Sequence, residues 1–276
     1  MSGARPSQVL ARAERYLERH GVDAPRASAE ALLAATLGTD RAGLFTRAVP
    51  LTPDEARAFG RALCARCSGT PLQHLTGAQA FRRLRLTVRH GVFVPRPETE
   101  VLVEIALGEL AASEAPLVVD VGTGSGAIAL AIADERRDAR VVAIDRSPAA
   151  VALARENAAG LGLAVDVREG DLLGPVADLA GAVDLVASNP PYVREDEVAA
   201  LPADVLADPI DALVGGPEVI AAIADGAREV LRPGGALVLE IGETQGDEIR
   251  TLLAERFATV RIERDLAGRD AVAARE

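Results

Sequence analysis

Along the chain the apolar positions change period twice. In roughly the first seventy residues they recur every three or four: Val9, Leu10, Ala13, Tyr16 and Leu17 share one helical face before a stop at Gly21, and Leu32, Leu33, Thr36 and Leu37 repeat the pattern up to Gly38. Thr52-Pro53-Asp54-Glu55 is a helix start, with Thr as cap, Pro in the first helical position and Glu placed to reach back. Ala56, Phe59, Leu63 and Cys67 give that helix its stripe. Short helices with so few aromatic residues bury little surface singly, so they are expected to pack as a small bundle.

Between about Gly69 and Pro97 the period falls to two. Leu84, Leu86 and Val88 alternate with Arg83, Arg85 and Thr87, and Val92-Phe93-Val94 follows a turn signal at His90-Gly91. This predicts a β-hairpin, with Arg82, Arg83, Arg85 and Arg89 on its solvated face. From about Pro116 apolar runs too short for helices alternate with helical stretches. Leu117–Val121, Val141–Ile144, Val165–Val167, Val183–Ala187 and Ala236–Leu239 read as buried strands, and a helix and closing strands end the chain. The expected fold is α/β: a mostly parallel, Rossmann-like sheet with helices on both faces, preceded by a helical bundle and a hairpin. The predicted division is 1–75 for the bundle, 76–97 for the hairpin linker and 98–276 for the α/β domain.

Composition narrows this picture. The 276 residues are 49% apolar and 26% charged, enough for a sizeable core, and no apolar run is long enough to span a bilayer. The first residues, Met1-Ser2-Gly3-Ala4-Arg5-Pro6, lack the apolar core of a secretory signal, so the expected location is the cytosol. A formal charge of −11 argues against a broad phosphate-tracking surface and leaves room for a local basic patch only. All 30 basic residues are arginine, which removes a P-loop lysine and Schiff-base catalysis. Cys64 and Cys67, the only two cysteines, have no His nearby in sequence and fall late in a helix, so they read as packing residues one turn apart and no metal is expected.

Candidate chemistry sits where strands end. Gly122-Thr123-Gly124-Ser125-Gly126 follows the first of the buried strands and opens a helix; such a loop lets a ligand approach backbone closely and aims a helix amino terminus at it. Asp145 ends the next strand, placed to accept from two ribose hydroxyls. These features imply an adenosine-containing cofactor and serve NAD and S-adenosylmethionine equally well. After the fourth strand comes Ser188-Asn189-Pro190-Pro191-Tyr192, in which two prolines forbid both helix and ladder and fix an extended turn.

Taken together, the glycine loop, Asp145 and Asn189-Pro190-Pro191-Tyr192 resemble the class I methyltransferases that act on planar nitrogens. An amide or aryl NH2 is a poor nucleophile with two hydrogens, and the Asn189 side-chain oxygen and Pro190 carbonyl can accept both. Tyr192 offers a flat face to a planar group. Gly69-Thr70-Pro71-Leu72-Gln73-His74-Leu75-Thr76-Gly77, Phe81 and Phe93-Val94-Pro95-Arg96-Pro97-Glu98-Thr99-Glu100 narrow the resemblance to the peptide chain release factor glutamine methyltransferases, over essentially the whole chain. That resemblance implies S-adenosylmethionine as cofactor and the glutamine of a release factor's Gly-Gly-Gln loop as acceptor. Carried over by position, Gly122, Thr123, Gly124, Ser125, Gly126 and Asp145 hold the cofactor, Asp171 and Leu172 flank its adenine, and Arg96 and Thr99 line its methionine end, with Asn189 bordering it. Asn189, Pro190, Pro191 and Tyr192 hold the glutamine amide, with Asn189, Pro190 and Tyr192 the catalytic set. The chain departs from the family in three places: Leu172 where some members have an aromatic, Asp208-Pro209 for the more usual Glu-Pro, and Ala271 after Gly268-Arg269-Asp270 where an Arg is common.

Other readings compete. A nucleic-acid amino-group methyltransferase shares Asn-Pro-Pro-Tyr and would flip a base into the same slot, but the acidic charge counts against it and direct nucleic-acid binding is not expected. An NAD-dependent dehydrogenase explains the glycine loop and leaves Asn189–Tyr192 without a task. A catalytically silent binding module leaves every one of these groups without one. A membrane partner is not expected either.

Overall fold

A computed structural model describes residues 3–202, 204–264 and 270–275. Its residues fall into two compact units, one comprising Met1–Ala78 with Pro202–Ala207 and the other Gln79–Leu201 with Asp208–Glu276. Gly268 and Arg269, part of the third departure noted above, lie outside the described residues.

The first unit is helical: α1 (Pro6–Arg19), α2 (Pro25–Leu37), α3 (Arg41–Thr46), α4 (Pro53–Cys67) and α5 (Leu72–Thr76). Val9, Leu10, Ala13 and Leu17 of α1 pack with Ala29, Leu32 and Leu33 of α2 and Phe59 and Leu63 of α4 around one core. The expected capping box closes the start of α4: Glu55 N donates to Thr52 Oγ1 at 3.2 Å and Thr52 N donates to Glu55 Oε2 at 2.8 Å. Two details differ from the sequence pattern. Tyr16 lies at the edge of its stripe and is exposed, its hydroxyl 3.9 Å from Cys64 Sγ. Only Cys67 packs on the core, whereas Cys64 faces outward, because a three-residue step turns about 300° and leaves the two on the margins of one face.

The hairpin follows, β1 (Ala78–Phe81, all but its first residue in the second unit) and β2 (Leu84–Thr87), and corrects the expected pairing. The partner of Leu84–Thr87 lies before it, across a turn in which Arg82 takes φ +49°, and the Val92-Phe93-Val94 run pairs in no ladder. Val92 instead packs against Ala150 and Leu153. Nor is Arg82 solvated: its guanidinium pairs with Glu135, Nη2 to Oε2 at 2.9 Å. Then follow α6 (Thr99–Glu109), β3 (Leu117–Val121), α7 (Ala127–Glu135), β4 (Arg140–Asp145), α8 (Pro148–Leu161), β5 (Val165–Glu169), β6 (Val183–Ser188), α9 (Pro217–Val230), β7 (Leu231–Glu240), α10 (Gly246–Ala254), β8 (Thr259–Arg264) and β9 (Asp270–Arg275).

The sheet order is β5-β4-β3-β6-β7-β9-β8, parallel from β5 to β7 and antiparallel at β9 and β8. Alternate strand residues feed opposite faces. Val118, Val141, Leu185 and Val238 join α6, α7 and α8 on one side, and Val119, Val142, Val186 and Leu237 join α9 and α10 on the other. Burial on both faces is why these strands read as unbroken apolar runs. The chain winds outward from β3 to β5 and then returns to β6 on the other side of β3, so the order reverses between β3 and β6. At such a reversal the loops after the two strands diverge and leave a crevice at their carboxyl ends.

Candidate active site

Parallel register carries four sequence-predicted or newly found positions to that crevice in one row. Ile144 pairs with Val121, Val121 with Ser188 and Ser188 with Leu239, so Asp145, Gly122, Asn189 and Glu240 are the next residues of four adjacent strands. At about 4.8 Å per strand the row spans roughly 14 Å.

At the β3 end the glycine loop turns back on itself. Gly122 and Gly124 take φ +71° and +57°, the left-handed region that favours glycine, and a Cβ on either would meet nothing within 4 Å. Asp145 braces the loop: its Oδ2 accepts from Gly124 N and its Oδ1 from Ser147 N, both at 2.8 Å, which leaves one lone pair on each oxygen. Beneath the loop Asp120 is fully buried, with Oδ2 accepting from Thr123 Oγ1 at 2.6 Å and Ala129 N at 3.1 Å. Burial pushes its pKa up to about 7 against the pull of those two donors, with the Asp145 charge adding to the rise. Asp120 Oδ1 and Ser125 Oγ are buried without a hydrogen-bond partner.

Asn157 of α8 ties this loop to the hairpin. Its Nδ2 donates to Ser125 O at 2.9 Å and Thr87 O at 3.0 Å, and its Oδ1 accepts from Thr87 N at 2.8 Å. Past β5, Leu172 takes φ +49° beside Asp171, whose Oδ1 accepts from Leu172 N at 3.1 Å. Asp171 is exposed, while Leu172 leans on the core of the α9 face.

At the β6 end, Asn189 is half-buried and its Nδ2 donates to Thr99 Oγ1 at 3.1 Å, which leaves its Oδ1 unengaged by that contact. Thr99, the first residue of α6, is itself buried. Gln245 Nε2 donates to the Tyr192 carbonyl at 3.0 Å while its Oε1 accepts from Gly242 N at 2.9 Å. On the other side Val193 bridges to Val214, with Gly215 N donating to Val193 O at 3.0 Å. A Cβ on Gly215 would sit 2.0 Å from Pro191 O, so the two backbones touch only because that residue has no side chain. The Asn-Pro-Pro-Tyr turn is therefore gripped from both flanks.

Arg96 is paired with Asp208. Its Nη2 donates to Asp208 Oδ2 at 2.5 Å and its guanidinium lies 5.5 Å from the Phe93 ring centroid, while Asp208 Oδ1 accepts from Val94 N at 3.1 Å. The departure at Asp208-Pro209 thus keeps a carboxylate that staples the Pro-Arg-Pro segment.

Sequence reading passes over Glu240. It ends β7, is buried, and its Oε1 accepts from Tyr192 Oη at 3.4 Å. Burial raises its proton affinity; the Thr99, Tyr192 and Asn189 side chains lower it and Glu98 raises it further. An acid closing the apolar run Ala236–Leu239 is the one signal the sequence offered.

Profiles of two protein families match this chain: one described as the PrmC N-terminal domain over residues 8–77, and one as the Methyltransferase small domain over residues 84–267. The release factor glutamine methyltransferase of Moorella thermoacetica is 43% identical over 272 residues, 95% of each chain. That of Mycolicibacterium smegmatis is 45% identical over 260 residues, 90% of this chain and 89% of its own. The chain belongs to the release factor glutamine methyltransferase family. As a member it is an S-adenosylmethionine-dependent methyltransferase. Among solved structures, the T. Thermophilus 16S rRNA N2 G1207 methyltransferase in complex with AdoMet and guanosine superposes with a TM-score of 0.55 at 23% identity, covering 72% of this chain and 49% of that one. At that identity the likeness is one of fold.

The glycine loop fits the family's cofactor on its own terms. Open space over Gly122 and Gly124, the spare lone pairs of Asp145, and the unpaired Asp120 Oδ1 and Ser125 Oγ complement a polar ligand carrying hydroxyl and ammonium donors. Among the described residues no helix is long and apolar enough to cross a membrane.

Proposed function

We propose that this chain methylates the side-chain amide nitrogen of the glutamine in the Gly-Gly-Gln motif of peptide chain release factors. When bound, S-adenosylmethionine would supply a methyl on a cationic sulfur, the sulfur would leave as a neutral thioether, and the methylated amide nitrogen would give up one of its two protons to water. Gly122 to Gly126 and Asp145 hold that cofactor, Asp171 and Leu172 border its adenine, and Arg96 and Thr99 line its other end. Asn189 Oδ1 and the Pro190 carbonyl accept the two N–H groups of the glutamine amide, and Tyr192 packs on its plane. The helices of residues 1–75 serve the protein partner, residues 76–97 link them in sequence, and residues 98–276 carry the chemistry.

The observation that carries this reading is the direction of the Asn189 amide. With Nδ2 committed to Thr99, the atom left for a ligand is an acceptor, which suits an NH2 group and repels a carboxylate. Holding a weak nucleophile in line can contribute about 7–11 kcal/mol, so no strong base is required. A site built to bond a substrate NH2 can reject the analogue lacking it by about 10⁴–10⁵.

Mass spectrometry of a release-factor tryptic peptide after incubation with enzyme and S-adenosylmethionine tests the reading. One added methyl on the motif glutamine is expected, none with glutamate in its place, and none from Asn189→Ala despite near-normal cofactor binding. Labelled methyl appearing on RNA or DNA and absent from the peptide would replace this reading with nucleobase amino-group methylation.

A further inference from the structure

Two arms hold the Asn-Pro-Pro-Tyr turn, and both lead to Asp208. One starts at Asn189, whose Nδ2 donates to Thr99 Oγ1 at 3.1 Å. Thr99 N in turn donates to Arg96 O at 3.2 Å, so the first residue of α6 is set by the segment before it. That segment is fastened to Asp208 twice, by Val94 N on Oδ1 at 3.1 Å and by the Arg96 guanidinium on Oδ2. The other arm starts at Val193, the residue after Tyr192. Its N donates to Leu213 O and its O accepts from Gly215 N, both at 3.0 Å. Between Asp208 and Leu213 the backbone folds into one tight turn, with Ala212 N donating to Pro209 O at 2.9 Å and Val214 N to Ile210 O at 2.8 Å. Asp208 stands where the two arms meet, and its side chain is fully buried.

Only a carboxylate serves both of those fastenings. Val94 N and Arg96 Nη2 are donors, and they meet different oxygens. A carboxamide has one acceptor oxygen and one NH2, so whichever way it turns it sets NH2 against a donor. Loss of the charge also leaves the Arg96 guanidinium without its counter-ion. The fault then passes from Val94 and Arg96 to Thr99 and so to the Asn189 amide. The glycine loop is braced separately, by Asp145 and Asn157.

We propose that Asp208 is a positioning residue for methyl transfer, joining the segment before α6 to the turn behind Val193 and so fixing the Asn189 amide relative to the backbone of Pro190–Tyr192. This deepens the function proposed above and rests on Asn189 and Pro190 receiving the glutamine amide.

The test compares Asp208→Asn, Asp208→Glu, Arg96→Met and Thr99→Val, with Asp208→Asn also made in the Thr99→Val background. For each, kcat at saturating S-adenosylmethionine, KM for release factor and the cofactor Kd are measured. Asp208→Asn is expected to lower kcat about tenfold or more, as a small misplacement of a positioning group does, with Kd within about threefold. Asp208→Glu keeps two acceptor oxygens, so its kcat should stay within about threefold of the parent. In the Thr99→Val background Asp208→Asn should cost less than about twofold, since residues on one path are non-additive. Hydrogen exchange at the Thr99 amide, which is bonded to Arg96 O, should quicken about tenfold in Asp208→Asn whatever the acceptor is. Near-parental kcat or unchanged Thr99 exchange in Asp208→Asn, Asp208→Glu as impaired as Asp208→Asn, or full additivity with Thr99→Val would each overturn the inference. Should Asp208→Asn not fold, Arg96→Met decides: near-parental kcat overturns it. Asn189→Ala separates the two levels. If it is active, the function assigned to this site fails and the exchange result alone judges Asp208; if it is dead while Asp208→Asn is fully active, only the role of Asp208 fails.

Discussion

Gln245 reaches back across 53 residues to hold Tyr192 by its backbone, donating from Nε2 to the Tyr192 carbonyl at 3.0 Å while its own Oε1 is held by Gly242 N. A glutamine satisfies both because it carries a donor and an acceptor on one amide. Gln245→Glu keeps the bond to Gly242 and sets carboxylate against carbonyl at Tyr192. We expect kcat about tenfold down or lower with cofactor affinity unchanged, since a small displacement of a positioning group is enough for such a loss. Steady-state kinetics beside calorimetric titration of S-adenosylmethionine would show it; an unaltered kcat would mean the turn holds its shape unaided.

Gly215 makes a second prediction. An added methyl would lie 2.0 Å from Pro191 O, which is backbone and cannot rotate aside. Gly215→Ala should therefore displace the Asn-Pro-Pro-Tyr turn, cost about 1–3 kcal/mol of stability as overpacking does, and remove most activity. Denaturant unfolding and a methyl-transfer assay on one preparation check both halves.

Asn157 links the glycine loop to the hairpin through three hydrogen bonds. Asn157→Ala leaves Ser125 O and both Thr87 backbone groups without that partner. The expected result is a loss of about 2–3 kcal/mol in stability and a weaker S-adenosylmethionine Kd, with kcat at saturating cofactor largely kept. This is the reverse of the Gln245 pattern, and titration calorimetry distinguishes them.

Asp120 gives the protein a pH signature. Its pKa rises from 3.8 to about 7 on folding because it is buried, so between those values the folded chain holds a proton that the unfolded chain has released. This contribution is fully present below about pH 4 and is lost as pH rises through about 7, by up to roughly 4 kcal/mol at 1.36 kcal/mol per pKa step. Asp120→Asn keeps an acceptor for Thr123 and Ala129 and has nothing to ionise. Urea titrations of both proteins from pH 5 to pH 8 should show the parent losing stability relative to the variant across that range; parallel curves would contradict it.

What the sequence revealed, and what it concealed, follows the distance over which each interaction acts. The Thr52–Glu55 box, the strand periods and the glycine loop are decided by neighbours within a few residues, and they were legible. The hairpin was misassigned because Val92-Phe93-Val94 has a strand's composition, yet Val94 N is claimed by Asp208, 114 residues on. Arg82 looked solvated because Glu135 is 53 residues away. Helix α6 went unread, and with it the placing of Thr99 beside Asn189. Glu240 stayed hidden for the same reason: the strand that carries it is ordinary, and its meaning comes from Tyr192, 48 residues upstream.

The rung Ile144–Val121–Ser188–Leu239 has a consequence for how such enzymes diversify. On the function proposed above, the glycine loop and Asp145 that would hold the donor hang from β3 and β4, and the turn that would choose the acceptor hangs from β6. Rewriting the segment after β6 can therefore exchange one class of nitrogen for another without disturbing the methyl source. Deleting a single residue within β6 is another matter. It would pull Asn189 back by about 3.3 Å and turn it to the opposite face, so acceptor preference is free to evolve by replacement and barred from evolving by changes in strand length.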